Sequence, residues 1–258
     1  MDTLPPDDKG AKSGKGVKAR KRGGVAMFPA ALSWLTDPAN WTGPGSIGIR
    51  ILQHLAITLM AVFIAALIAL PVGVAVGHAR RGAGLVGALT GAARAIPTLG
   101  LLTLVGLVVG IGTTAPLIAL VVLAIPSLLA GAYAGIRSVE PSISQGAKAI
   151  GMSPVQVVFG VEIPLASPTI VGGIRAAMLQ VVATATLAAY TSDVGLGRFL
   201  FAGLKTRDYP QMLGAALLVV ALALILELIL AAAQRAVTRR YTTPTGQSGI
   251  PGIRKKEE

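Results

Sequence analysis

Long apolar runs separated by short polar connections make up most of the chain. Residues 51–77, 85–112, 116–136, 170–190 and 212–236 are predominantly apolar over about twenty positions or more, enough α-helix at roughly 1.5 Å per residue to cross a hydrocarbon core of about 30 Å. The pattern predicts five helical spans. The first closes on His78, Arg80 and Arg81, the third on Arg137, and the last on Arg235, Arg239 and Arg240. The second is longer than one span requires, carries Arg94 near its middle and is interrupted at Ile96-Pro97-Thr98. A charge at that depth costs about 2.5–3.5 kcal/mol or more, so Arg94 is expected to face protein or water. Pro126 predicts a kink in the third span.

The stretch from Ser144 to Arg175 is half polar and sits between apolar runs. Ser144 to Ile150 suits a short helix that Gly151 would end in a left-handed conformation, and Ser153-Pro154 reads as an N-cap with proline at the first helical position. A second short helix would carry Val155, Val158 and Phe159 on one apolar stripe, until Pro164 and Pro168 stop it. The expectation is a compact elbow between two spans.

The ends and the first apolar stretch complete the division. Residues 1–24 hold seven Lys and Arg among Gly, Pro, Ser and Asp and are expected to form a disordered basic tail. Residues 25–50 form an interfacial segment, because its apolar part is only about a dozen residues long and Trp34 and Trp41 flank Asp37-Pro38. The transmembrane domain covers 51–237 with the elbow loop at 140–168, and 238–258 is a polar tail.

Composition agrees with a polytopic helical membrane protein: 53% hydrophobic residues against 13% charged, and 32 glycines that allow close helix approach. The net charge of +12 does not point to nucleic acid, because Lys and Arg gather at the chain ends and in short connections. With the elbow on the cytoplasmic side, Arg80, Arg81, Arg137, Lys148 and the basic C-terminus all lie inside, while five spans leave the basic N-terminal tail outside. A sixth span, made by splitting 85–112 at Pro97, would move that tail inside but place Arg80 and Arg81 outside. With no cysteine and two separated histidines, neither a thiolate nor a His-rich metal site is expected. The nearest approach to a nucleotide-phosphate loop, Gly10 to Gly16, has the wrong spacing and lacks the final hydroxyl.

Gln145-Gly146-Ala147, then Gly151, then Val161-Glu162-Ile163-Pro164 resembles the EAA loop of ABC-importer permeases. The pattern there is Glu-Ala-Ala, three residues, Gly, nine residues, Ile-x-Leu-Pro. The spacing agrees throughout, with Gln145, Gly146, Val161 and Ile163 as departures. Several further stretches resemble the osmoprotectant branch of that family: Asp37 to Trp41, Gln53 to Leu55, Ala69 to His78, Arg94 to Leu99, Gly172 to Arg175, Ala183 to Ala189, and Gly195 to Gly197. Thr191-Ser192-Asp193-Val194 departs from the small, glycine-rich run usual there.

The resemblance implies an all-α membrane protein of the type I permease fold in a prokaryotic cell membrane. It implies a translocation subunit, not an enzyme, passing glycine betaine, carnitine, choline or proline. Its partners would be an ATP-binding cassette ATPase dimer, a second permease subunit, identical or homologous, and an extracellular substrate-binding protein, with ATP and Mg on the ATPase and no cofactor here. The elbow residues just named would couple the chain to the ATPase, and Arg94, Pro97, Thr98, Thr186 and Gly195 would line the path or its gate. Alternatives are a permease for another small solute such as an amino acid, and an ion-coupled secondary transporter, for which Glu227 stands without the paired acids expected.

The residues themselves leave some roles open. Glu162 reads as a coupling-surface residue or a solvated loop carboxylate, and Arg94 as a path residue or one reaching to water and carbonyls. Arg175 reads as a structural pair or snorkelling residue before a solute contact. Glu227 is a functional acid, a satisfied buried carboxylate or a subunit contact, and His54 and His78 are structural.

Overall fold

The computed structural model describes residues 27–241, with backbone alone at Arg94. The tails at 1–24 and, past Tyr241, at the C-terminus lie outside the described residues. Those described form helices and connections, with no strand among them. A short helix α1 (27–36) precedes α2 (Ile47–His78), α3 (Ala83–Ala95), α4 (Thr98–Val109) and α5 (Thr114–Ser138). Then follow α6 (Pro141–Ala149), α7 (Pro154–Val157), α8 (Ile163–Thr184), α9 (Gly197–Thr206) and α10 (Tyr209–Tyr241).

Four helical runs are long and apolar enough to cross a membrane: α2, α5, the run Pro154–Tyr190 that contains α8, and α10. The remaining expected span is present as α3 and α4, which meet at 85°. Ile96 is extended there (ψ 119°) and Pro97 follows, as expected where a proline disfavours helical backbone in the residue before it and offers no N–H. Helix α2 starts at Ile47, earlier than the apolar run suggested, because Arg50 is buried at an ion pair and does not end the helix.

Helix α5 lies between α2 and α8; α10 adds to α8, and α3 and α4 lie against α5. The core is built from small residues. Ala61, Ala65 and Ala69 of α2 meet Leu120, Ala124 and Leu128 of α5 and Ala177, Val181 and Ala185 beyond. At the α5–α8 crossing, a Cβ on Gly131 would sit 2.5 Å from the Cα of Gly173, so only glycine permits this approach. Where lipid supplies no hydrophobic drive between helices, such contact is the source of cohesion. Arg175 of α8 donates from Nε to Glu227 of α10 at 2.7 Å and from Nη1 to Gln234 at 2.9 Å, fixing the two helices together.

One expectation is corrected. Pro164 and Pro168 do not stop the elbow's second helix: Pro154–Tyr190 is one helical run. A π-helical turn, Val158–Glu162, precedes α8 and places Pro164 in its first turn, where an N–H is not required. Pro168 lies inside α8 and leaves the Pro164 carbonyl without its usual donor; the Ser167 hydroxyl supplies one at 2.6 Å.

Candidate functional site

At one end of the bundle the chain leaves α5, forms α6, turns and re-enters through α7. The turn is local chemistry. Gly151 has φ +92°, a left-handed conformation that suits glycine. Ser153 then caps α7: Gln156 N donates to its Oγ at 3.4 Å and Ser153 N donates to Gln156 Oε1 at 2.8 Å, a reciprocal capping box. Val157 is fully buried and fastens α7 inward. The apolar side chains at its sides point outward instead: Ile150 is 82% exposed, Phe159 68% and Val155 65%. Three large apolar groups on a polar turn make a projecting surface of the kind that receives a partner.

The elbow is fastened to the bundle from beneath. Glu162 is only 2% exposed, and its carboxylate accepts from Ser144 Oγ of α6 at 2.9 Å and from His78 Nδ1 at the end of α2 at 2.7 Å. This corrects the expectation of a surface carboxylate. The π turn brings the Glu162 side chain inward, so it joins α2, α6 and the start of α8. Among the other loop residues, Gln145, Gly146 and Gly151 are exposed, Ala147 is buried with Ser144, and Val161, Ile163 and Pro164 are half-buried. Beside them an apolar groove of about 390 Å³ runs between Pro71, Val74 and His78 of α2 and Val155 and Phe159.

At the opposite end, polar residues of α2 hold the connection after the 3-10 turn Ala185–Tyr190. Arg50 Nη2 pairs with Asp193 Oδ2 at 3.1 Å, and Arg198 Nε meets Asp193 Oδ1 at 2.9 Å. Gln53 Oε1 accepts from Arg50 Nη1 and from Gly195 N, each at 3.2 Å. His54, fully buried, bonds through Nε2 to the Val182 carbonyl at 2.9 Å and packs on Gly195, whose φ is +79°. A Cβ on Gly197 would overlap the backbone of Thr186. Gly195 and Thr186 are therefore brought into one cluster. Sequence reading missed Arg50, although its i, i+3, i+4 spacing with Gln53 and His54 was a usable signal.

The other expected path residues lie elsewhere. Pro97 is at the α3–α4 bend, and Thr98 lines a small recess with Thr184 and Leu187. Arg94 is on α3 with its side chain outside the described structure. Among the described residues, no three His, Asp or Glu side chains gather as metal ligands.

Similarity to known proteins places this geometry. Residues 68–243 match the family described as "Binding-protein-dependent transport system inner membrane component". The chain is 32% identical over 197 residues to the choline transport system permease protein OpuBB of Bacillus subtilis (strain 168), covering 76% of this chain and 91% of the relative. It is 33% identical over 212 residues to the glycine betaine/carnitine/choline transport system permease protein OpuCB of the same organism, covering 82% and 95%. In fold it is similar to a chain of the MetNI methionine ABC transporter in an inward-facing conformation. There the TM-score is 0.64 at 24% identity, over 74% of this chain and 95% of that one.

Proposed function

The chain belongs to the binding-protein-dependent transport system inner-membrane component family, and from that premise we propose that it is the permease subunit of an ATP-driven importer for quaternary-ammonium osmoprotectants. Glycine betaine, carnitine and choline carry that group and are the solutes in view, with proline, a secondary-ammonium zwitterion of similar size, beside them. The observation that carries the reading is that similarity to choline and glycine betaine/carnitine/choline permeases extends over 76–82% of the chain.

A separate ATP-binding cassette dimer supplies hydrolysis, with ATP and Mg bound there. Ile150, Val155 and Phe159 form the apolar contact that the ATPase grips. The Glu162, His78 and Ser144 bonds pass the displacement into α2 and α8. A second permease subunit completes the path, and an extracellular binding protein delivers solute at the end where Asp193 and Arg198 lie. Gln145 supplies a neutral hydrogen bond where the family pattern has a carboxylate, roughly half as strong as a charge-assisted one. An ion-coupled mechanism finds less support, because Glu227 is already paired with Arg175.

Co-purification with a co-expressed ATP-binding cassette ATPase, followed by solute-stimulated ATP hydrolysis in proteoliposomes with a binding protein, tests the proposal. Phe159→Asp, at an exposed position, is expected to leave the permease folded in the membrane and abolish stimulation. Uptake that proceeds without ATP, or stimulation unchanged in Phe159→Asp, would overturn it.

A further inference from the structure

The spans differ in what they expose. Helix α2 shows Leu52, Leu59, Phe63 and Leu67, and α10 shows Val220, Leu224, Leu228 and Ile229, as faces that meet lipid do. Between Leu165 and Tyr190, by contrast, no large apolar side chain is exposed. What is exposed in that stretch includes a carboxamide, that of Gln180. Its Oε1 accepts from Ser127 Oγ of α5 at 2.9 Å, and its Nε2 donates to the Leu123 carbonyl at 3.2 Å. Thirteen residues separate Ser127 from the start of α5 and eleven from its end, about 20 Å and 16 Å of helix, so the pair lies near mid-depth.

Ser127 and Gln180 line a recess of about 40 Å³ together with Thr90 of α3 and Pro126 of α5. One water needs about 10–15 Å³, so the recess admits more than one. The amide keeps a second N–H and a second lone pair, and the hydroxyl keeps acceptor capacity. Polar groups with unused capacity at this depth face a water-filled cavity or protein, because hydrocarbon would leave that capacity unmet.

We infer that Ser127 and Gln180 are solute-facing residues of the translocation path, presenting a neutral hydroxyl and carboxamide at mid-membrane to a small zwitterionic or methylated-ammonium solute. The inference rests on the reading of the chain as a translocation subunit but not on which solute it carries. Neutral groups suit such a solute physically: they replace part of its hydration without a fixed charge strong enough to hold it.

The chain has no cysteine, so Gln180→Cys, Ser127→Cys, Phe63→Cys and Leu228→Cys each create a single thiol. In membranes containing the assembled transporter, each is treated with a trimethylammonium-ethyl methanethiosulfonate reagent. The thiolate is the reactive form, and a thiol kept in hydrocarbon stays protonated, so Gln180→Cys and Ser127→Cys should react at least about tenfold faster than the two lipid-facing thiols. Gln180→Leu should lower solute uptake by about tenfold while thermal stability and ATPase co-purification hold, since an apolar group contributes none of the hydrogen bonds. Should Gln180→Cys prove no more reactive than Phe63→Cys, or oxidise directly to a disulfide with a second copy, the position is sealed or a subunit contact and the inference fails. Ser127→Cys serves as the independent position where Gln180→Cys does not assemble. Fast labelling without protection by glycine betaine or choline would sustain the path and count against the solute assignment alone.

Discussion

The two ends of the bundle are both tied by a carboxylate, but in opposite physical settings. At the elbow, Glu162 is enclosed, 2% exposed, and held by side chains of α2 and α6. At the far end, Asp193 is 67% exposed on a loop and shared by Arg50 and Arg198. A buried carboxylate with each oxygen engaged resists separation, since breaking one bond leaves an uncompensated group in a low dielectric. Asp193 exchanges a partner for water at little cost, and so does exposed Arg198, whereas Arg50, only 10% exposed, depends on the contact. The elbow tie is thus closed to water at its carboxylate, and the far tie between Arg50 and Asp193 is open on its carboxylate side alone.

The sharpest way to break this contrast is to place a charge beneath the elbow. Glu162→Lys sets an unpaired cation beside His78 and should lose about 3–5 kcal/mol, while Glu162→Gln keeps the shape and should lose only about 1 kcal/mol. Thermal unfolding in detergent measures both, and equal small losses would show that the inner tie is not the rigid one. At the other end, Gly197→Val drives a side chain into the backbone of Thr186 and is expected to cost about 1–3 kcal/mol. Limited proteolysis should then cut the 191–196 connection faster.

Milder still is Arg50→Met. It removes the charged hydrogen bonds to Asp193, but the net loss is expected to be only about 1 kcal/mol, because a long apolar side chain still fills the buried position and Asp193 returns to water. Its more telling effect should be a rise in ATP hydrolysis without solute, as the outer tie loosens; unchanged basal turnover would deny the tie a gating role. The smallest effect is expected of Arg198→Ala, below about 1 kcal/mol and fading in high salt, since both partners are exposed. Unfolding midpoints at low and high ionic strength would measure it.

Much of the architecture was legible in the residue pattern. The apolar runs indicated the positions of α2, α5, α8 and α10, and the break at Pro97 lies where α3 and α4 part. The elbow's turn was readable because Gly151, Ser153 and Pro154 act on their immediate neighbours. The candidate site was less legible. Glu162 sits in a stretch that reads as a loop, and nothing local announces that a π turn will swing it inward. Likewise Pro164 and Pro168 are helix breakers by local rule, and Ser167 one residue before Pro168 gave little hint of the compensating bond.

What the sequence by itself determined was which segments enter the membrane and where the chain bends, because burial of an apolar run and the backbone limits of glycine and proline are sums over adjacent residues. Only the tertiary structure decided the partners. Arg50 with Asp193, His78 with Glu162 and Ser127 with Gln180 are 143, 84 and 53 positions apart. Polar side chains in a membrane bundle pair with whatever the crossing of helices brings within about 3 Å, and that crossing depends on small residues such as Gly131 and Gly173 meeting face to face.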